Sequence, residues 1–253
     1  MEQKGIKSIE VGGRLLKVLA MGLGPLPLKD LAARAGLSAS AAHHYLVSYR
    51  RLGLVRQHKT TLAYEIGPFA RELGYKAIDR SGALTAAHEF QRRVRDRLNE
   101  SVTLAVWGHH GPVIISVEES NKPVAVTMRV GATLPLLGSV SGLTLAAFMP
   151  RNIIDPAIRA EYAAGRLPVE GLSRRELNLK LKEIRRSLLV NHRGPLLSGF
   201  AAVATPMLTP EGRIVAAMSA FGSCDLLDYS LVGHTAKVLL EAGAAFTEAT
   251  RHM

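Results

Sequence analysis

The chain has one cysteine, Cys224, one tryptophan, Trp107, and aromatic residues at only 5 % of its 253 positions. A lone cysteine excludes a disulfide within the chain and a Cys-based zinc site, which needs several ligands. The few aromatics do not cluster on one strand, so the stacking platform of an RNA binder is missing. No apolar run is long enough to span a bilayer, and no basic amphipathic helix stands alone. The opening MEQKGIKSIEVGGRLLKVL has no continuous apolar stretch before a small-residue cleavage site. These absences predict a reducing, cytoplasmic setting away from membranes. The nucleophile-elbow, zincin, P-loop and dinucleotide-binding signatures are also absent, so no enzyme, metal or cofactor is expected.

Acidic residues are scarce relative to basic ones. There are 21 against 32, giving a net charge of +11 and a pI near 10.1. Residues 1–80 hold 13 basic and 6 acidic residues; residues 81–253 hold 19 and 15. The excess is concentrated in the smaller, N-terminal part, as for a module that binds a polyanion. Hydrophobic residues make up 47 % of the chain, enough for a proper core.

Within the basic part, LKDLAARAGLSASAAHHYLVSYRRLGLV reads as a helix-turn-helix running into a wing. Leu28, Leu31, Ala32 and Ala35 fall on one helical face. Gly36 follows, where a helix stops on a left-handed residue, and Ser38 is placed to cap the next helix. That helix spans about Ala39 to Leu52, with Ala42, Leu46 and Tyr49 inward and Ala41, His44, Ser48 and Arg51 outward. Short side chains at its start and Arg at its end suit entry into a major groove with phosphate contacts behind. Leu54–Arg56, a polar tip at Gln57–Thr61 and Leu62–Ile66 form the expected wing, setting Arg56, His58 and Lys59 against the DNA backbone. Ile9–Met21 is the preceding helix, weakened by Gly12-Gly13.

Downstream, Phe69–Ile78 reads as a helix with Phe69, Leu73 and Ala77 on one face, and Leu84–Leu98 as another. VTLAVWG and VIISVEE alternate as paired strands around His109-His110-Gly111, and PVAVTM reads as a third. Phe200–Met207 and Arg213–Ala220 form a second pair across the Thr209–Gly212 turn. Helices are expected at Gly142–Phe148, Asp155–Ala164, Arg174–Leu188 and Ser230–Arg251. The fold class is α+β, an antiparallel sheet covered by helices. His109 and His110 read as loop histidines, since hairpin neighbours point to opposite faces. Cys224 reads as a buried structural thiol.

With SIEVGGRLLKVLAMG, LPLKDLAARAGLS, LGLVRQ and YEIGPFARELG in place, the chain resembles the IclR family of bacterial transcriptional regulators, and the likeness runs nearly throughout. It implies a winged helix-turn-helix DNA-binding domain over 1–67, a linker helix over 68–81, and an effector-binding and oligomerisation domain over 82–253 related to GAF and profilin-like folds. DNA-binding candidates are Ser38, Ser40, His43, His44, Arg50, Arg51, Arg56 and Lys59. The family usually carries Lys, Ser-Thr and Arg through the first turns of the recognition helix. Here Ala39, Ser40-Ala41 and His44 stand there, so the operator is expected to differ from family norms.

The resemblance also implies a pocket between the sheet and the loop-helix beginning at Pro135. The family motif PLHxTxxGKALLA corresponds to Pro135–Ala147, and GxxxxAxPxxxxxGxxxAAxSxxG to Gly199–Gly222. Asn191-His192-Arg193-Gly194 replaces the family's acidic loop. The effector-binding candidates are Ser139, Gly142, Leu143, His192, Ala202, Ser219 and Phe221. Gly142 is expected to open a helix whose unpaired N–H groups suit a carboxylate. Ala202 and Phe221 make the site apolar and Ser219 gives it a polar handle, which fits a small organic acid, aromatic acids included.

The implied partners are double-stranded DNA with a near-palindromic operator, the acid effector, and further copies of the chain as a dimer or dimer of dimers. The competing reading is a small-molecule sensor or enzyme whose N-terminal helices serve protein contacts. It leaves the basic charge and the wing without a purpose.

Overall fold

The computed structural model describes residues 5–22, 24–78, 82–109, 111–122, 128–165, 171–193 and 199–253. Its contacts divide the chain into residues 1–80 and 81–253.

In the first unit, α1 (Lys7–Met21), α2 (Leu28–Ala35) and α3 (Ala39–Arg51) precede β1 (Val55–Gln57), β2 (Tyr64–Ile66) and α4 (Pro68–Ile78). The turn between α2 and α3 is set by two residues. Gly36 adopts φ 66°, and its N–H donates to the carbonyls of Ala32 and Ala33. A Cβ there would strain the left-handed backbone. Ser38 then accepts from the Ala41 N–H at 3.2 Å, capping α3. Leu15, Leu19, Leu31, Ala35, Ala42, Leu46, Val55 and Tyr64 close over one another as the core. Strands β1 and β2 pair antiparallel with Arg56 opposite Glu65. Leu26 bridges to Tyr64, extending the wing sheet backwards.

The second unit is built on a five-stranded antiparallel sheet. It comprises β3 (Ser101–Gly108), β4 (Gly111–Glu118), β5 (Val190–Arg193), β6 (Phe200–Leu208) and β7 (Ile214–Ser223), in the order β4-β3-β7-β6-β5. Helices α5 (Ala83–Leu98) and α9 (His234–Ala249) pack with one set of buried strand residues; α6 (Val140–Phe148), α7 (Arg151–Ala163) and α8 (Arg174–Ser187) pack with the other. Alternation along β6 sends Val203 into the first cluster and Ala204 into the second, so the sheet has helices on both faces. Gln91 of α5 is fully buried and ties the layers by donating to the Val102 carbonyl at 2.8 Å.

Several expectations are corrected. Val190–Arg193 is a strand and not a loop: β5 pairs with β6, placing His192 beside Ala202. Four residues of which three are polar carry too little alternation to read as a strand, and pairing with an existing sheet supplies what propensity lacks. Helix α6 begins at Val140, two residues earlier than expected, because Ser139 caps it. Met128 lies outside any strand, and the rest of PVAVTM, residues 123–127, lies outside the described residues, as does His110. Cys224 is half-buried, not buried. Its sulfur takes a hydrogen bond from Arg193, which raises that guanidinium's pKa, with the Tyr229 hydroxyl adding to the effect.

Candidate DNA-binding surface and effector cavity

On α3, Ser40, His43, His44 and Arg51 are exposed and share one face at helical spacing. Ser38 is exposed at the start of the helix, where its hydroxyl is engaged as the cap. The rings of His43 and His44 stand edge to face, 6.3 Å apart. Arg50 turns toward the wing and donates to Gln57 Oε1 at 3.0 Å. Arg51 and Lys59 are exposed and make no ion pair with a described residue, so both remain available to phosphate.

The wing is less cationic than the sequence suggests. Arg56 is paired with Glu65, and His58 Nε2 lies 3.2 Å from the same carboxylate. The hydrogen bond from His58, then that from Arg56, holds the Glu65 carboxyl below the usual carboxylate range. Glu65 was absent from the sequence-derived candidates. Its signal was the hairpin register, which puts it directly opposite Arg56.

In the second unit, a cavity of about 80 Å³ opens between the sheet and the start of α6. Ser139, His192, Ala202, Ser219 and Phe221 all line it. Gly142 and Leu143 do not, and the register of α6 explains why. The Gly142 N–H is already spent on Ser139 Oγ at 3.0 Å, so it is not available to a carboxylate. A side chain at Gly142 would run into the backbone carbonyls of Leu136 and Pro135. Leu143 is buried with Leu177, Leu181 and Ile184 beneath α8.

The cavity's other lining includes Thr103 and Ser141, which sequence reasoning missed. Thr103 Oγ1 lies 2.7 Å from Ser219 Oγ, and Ser141 Oγ lies 3.2 Å from it. All three residues are buried. Thr103 faces Ser219 directly across β3 and β7. That juxtaposition depends on strand order, which alternation within one strand does not reveal. Ile114, Leu134, Val140 and Phe200 supply apolar walls, and no Lys, Arg, Asp or Glu is among the described lining residues.

A winged helix-turn-helix joined in one chain to an α/β domain that holds a cavity defines a two-domain class of DNA-binding regulator. Residues 8–59 match the profile of the IclR helix-turn-helix domain, and residues 75–245 that of the bacterial transcriptional regulator IclR C-terminal domain. The chain belongs to the IclR family of transcriptional regulators. It is 25 % identical over 211 residues to the probable transcriptional regulator SauR of Cupriavidus necator, covering 81 % of this chain and 82 % of that one. The crystal structure of Pseudomonas aeruginosa HmgR matches at 32 % identity and TM-score 0.62, over 97 % of this chain and 98 % of that one. An IclR homolog from Microbacterium hydrocarbonoxydans, complexed with 4-hydroxybenzoate, matches at 23 % identity and TM-score 0.75, over 98 % and 100 %. The family is one of regulators, not enzymes, and DNA is the partner its head domain binds. Among the described residues no helix is long and apolar enough to cross a membrane, and no group of acidic, His or Cys side chains could hold a metal.

Proposed function

We propose that this regulator reads a specific operator in the cytoplasm and is controlled by a small organic acid held in the cavity over β3, β6 and β7. The observation that carries the reading is the buried Thr103–Ser219–Ser141 hydroxyl cluster in a largely apolar chamber, to which Ser139 and His192 add two further polar groups. A core packed only for stability has little use for three hydroxyls beside empty space. The 4-hydroxybenzoate complex of the Microbacterium homolog supports an aromatic acid as the effector of this fold.

On the DNA side, Ser40, His43 and His44 lead α3 into the major groove, while Arg50, Arg51 and Lys59 hold phosphates. Arg56 contributes within its ion pair. Paired heads in a dimer or dimer of dimers would meet half-sites on near-palindromic DNA. The effector acts by favouring one arrangement of those heads, since only a difference in affinity between two states shifts their balance.

The test is selection of bound sequences from a random duplex pool at physiological salt, with and without candidate acids. An enriched near-palindrome, lost in His44→Ala and altered in occupancy by an acid, is the expected result. Binding that shows no enrichment and disappears with salt in every condition would refute operator reading.

A further inference from the structure

We infer that Val47 is a base-reading residue of α3, and that it reads the C5-methyl group of a thymine in the major groove. The inference rests on the operator reading proposed above and names a base that this helix selects. Among the four bases thymine presents a methyl group in that groove, and an apolar side chain distinguishes it by contact alone.

Val47 lies at the centre of the helix's outward stripe. At about 3.6 residues per turn, Ser40, His44, Val47 and Arg51 fall within an arc of roughly 60°. The opposite side holds Ala42 and Leu46, both buried in the head's core, and Tyr49, which packs against it. Ser40, His44 and Arg51 are exposed, and Val47 between them is half-buried.

Val47 has no part in the packing that holds the head together. Its half-buried neighbours on α3, Tyr45 and Tyr49, pack against the core cluster; Val47 does not belong to it or to the residues packed against it. It lines a surface hollow with Arg50 and Arg51 instead. Arg50 is drawn toward the wing by Gln57 at 3.0 Å, away from the centre of the stripe. An apolar side chain therefore stands on a polar face beside two cations. It gains nothing for the helix, since valine is a weaker helix former than alanine. What it supplies is two methyl groups held in one direction, because a β-branched residue in a helix keeps essentially one χ1 rotamer. A rigid apolar knob suits a thymine methyl, and covering it with DNA removes its surface from water.

The neighbouring residue fixes what stands beside that thymine. His44 precedes Val47 by three residues, a rise of about 4.5 Å, comparable with the roughly 3.4 Å between successive nucleotides of a strand. The two side chains therefore reach neighbouring base pairs. An imidazole N–H donates to a purine acceptor in the major groove, such as N7. The half-site then holds a thymine next to the pair that His44 reads.

The experiment begins from the duplex that the full-length protein selects from a random pool. Deoxyuridine replaces each enriched thymine in turn, which removes the methyl group and leaves every hydrogen-bonding group in place. Affinities are read by fluorescence anisotropy at one salt concentration for the parent, Val47→Ala and His44→Ala. Each variant is checked for an intact melting transition without DNA. The expected result is that deoxyuridine at one thymine of each half-site weakens the parent about fourfold, the worth of one buried methyl group. Val47→Ala binds the thymine and deoxyuridine duplexes alike at that position and melts as the parent does. His44→Ala loses selection at the neighbouring pair and keeps the thymine effect. A thymine effect that survives Val47→Ala, or none in the parent, would overturn the inference. So would a lowered melting transition in Val47→Ala with its thymine preference intact, which would make Val47 a packing residue. The two readings fail differently: if the parent enriches no sequence at all, operator reading itself is wrong, whereas an enriched operator without a Val47-dependent methyl effect removes only the role given to Val47.

Discussion

Gly12 of α1 lies directly beneath Tyr49 of α3: a Cβ on Gly12 would collide with the Tyr49 hydroxyl and sit 2.7 Å from the Tyr45 ring. The neighbouring Gly13 has nothing within 4 Å of such a Cβ. In the sequence both glycines look alike, as weak points in a helix. In the structure one is the contact that lets α1 approach the recognition helix, where burial, chiefly, and the Tyr45 hydroxyl raise the Tyr49 pKa. Gly12→Ala should destabilise the head by about 1–2 kcal/mol, because overpacking outweighs Ala's helix propensity. Gly13→Ala should stabilise it by about 0.5–1 kcal/mol. Hydrogen exchange of the α1 amides in the full chain measures both, and equal signs would remove the distinction.

Glu65 restrains the wing's cations. Glu65→Gln removes a negative charge and releases Arg56, so affinity for non-specific duplex should rise several-fold at low salt. The dependence of log K on log salt should steepen by up to about one unit. The pH consequence follows from sign. The folded carboxyl titrates below its ordinary value, so its contribution to wing stability is full above the unfolded pKa, about 4.3. That contribution is lost as pH falls through the folded pKa. Amide exchange in Arg56 and Tyr64 should therefore accelerate below about pH 4 in the parent protein. It should be insensitive to pH there, beyond intrinsic exchange chemistry, in Glu65→Gln.

The helix-turn-helix was legible because its punctuation is local. Gly36 and Ser38 announce a stop and a start, and the 3.6-residue period of Leu31, Ala35, Ala42 and Leu46 shows the buried side. The sheet was legible as strands but not as an order. Whether Thr103 meets Ser219 depends on β3 lying beside β7, a pairing between residues 116 positions apart. Strand β5 was hidden for the same reason, since VNHR is a strand only against β6. The α6 residues were missed by phase. Ser139 and Ser141 look alike in sequence, but one caps the helix while the other joins the hydroxyl cluster.

That phase makes a direct prediction about Leu143. It is 4 % exposed and packs with Leu177 and Leu181, away from the cavity. Leu143→Ala should lower the stability of the C-terminal domain by about 2–5 kcal/mol through the void it leaves. Acid affinity, measured where the variant is folded, should stay within about twofold of the parent, less than one hydrogen bond's worth. Trp107 is the only tryptophan and lies on β3, so its fluorescence during urea unfolding reports this domain. A large loss of acid affinity with unchanged stability would return Leu143 to the cavity wall.

Helix α8 carries a further test of how the domain is held together. Ser173 accepts from the Glu176 N–H while the Glu176 carboxylate accepts from the Ser173 N–H at 2.8 Å, a closed capping box. Hydrogen bonds from the Ser173 side chain, first, and from its backbone N–H hold the Glu176 carboxyl below its ordinary range. The buried face of the helix, Leu177, Leu181 and Ile184, packs beneath α6 and therefore supports the helix whose start lines the cavity. Ser173→Ala should cost about 1 kcal/mol, shifting the tryptophan-monitored urea midpoint downward with an unchanged slope. Ser173→Asp should restore most of the loss, because a carboxylate also caps and interacts well with the helix N-terminus. If Ser173→Asp unfolds as early as Ser173→Ala, the cap is not what fixes the start of α8.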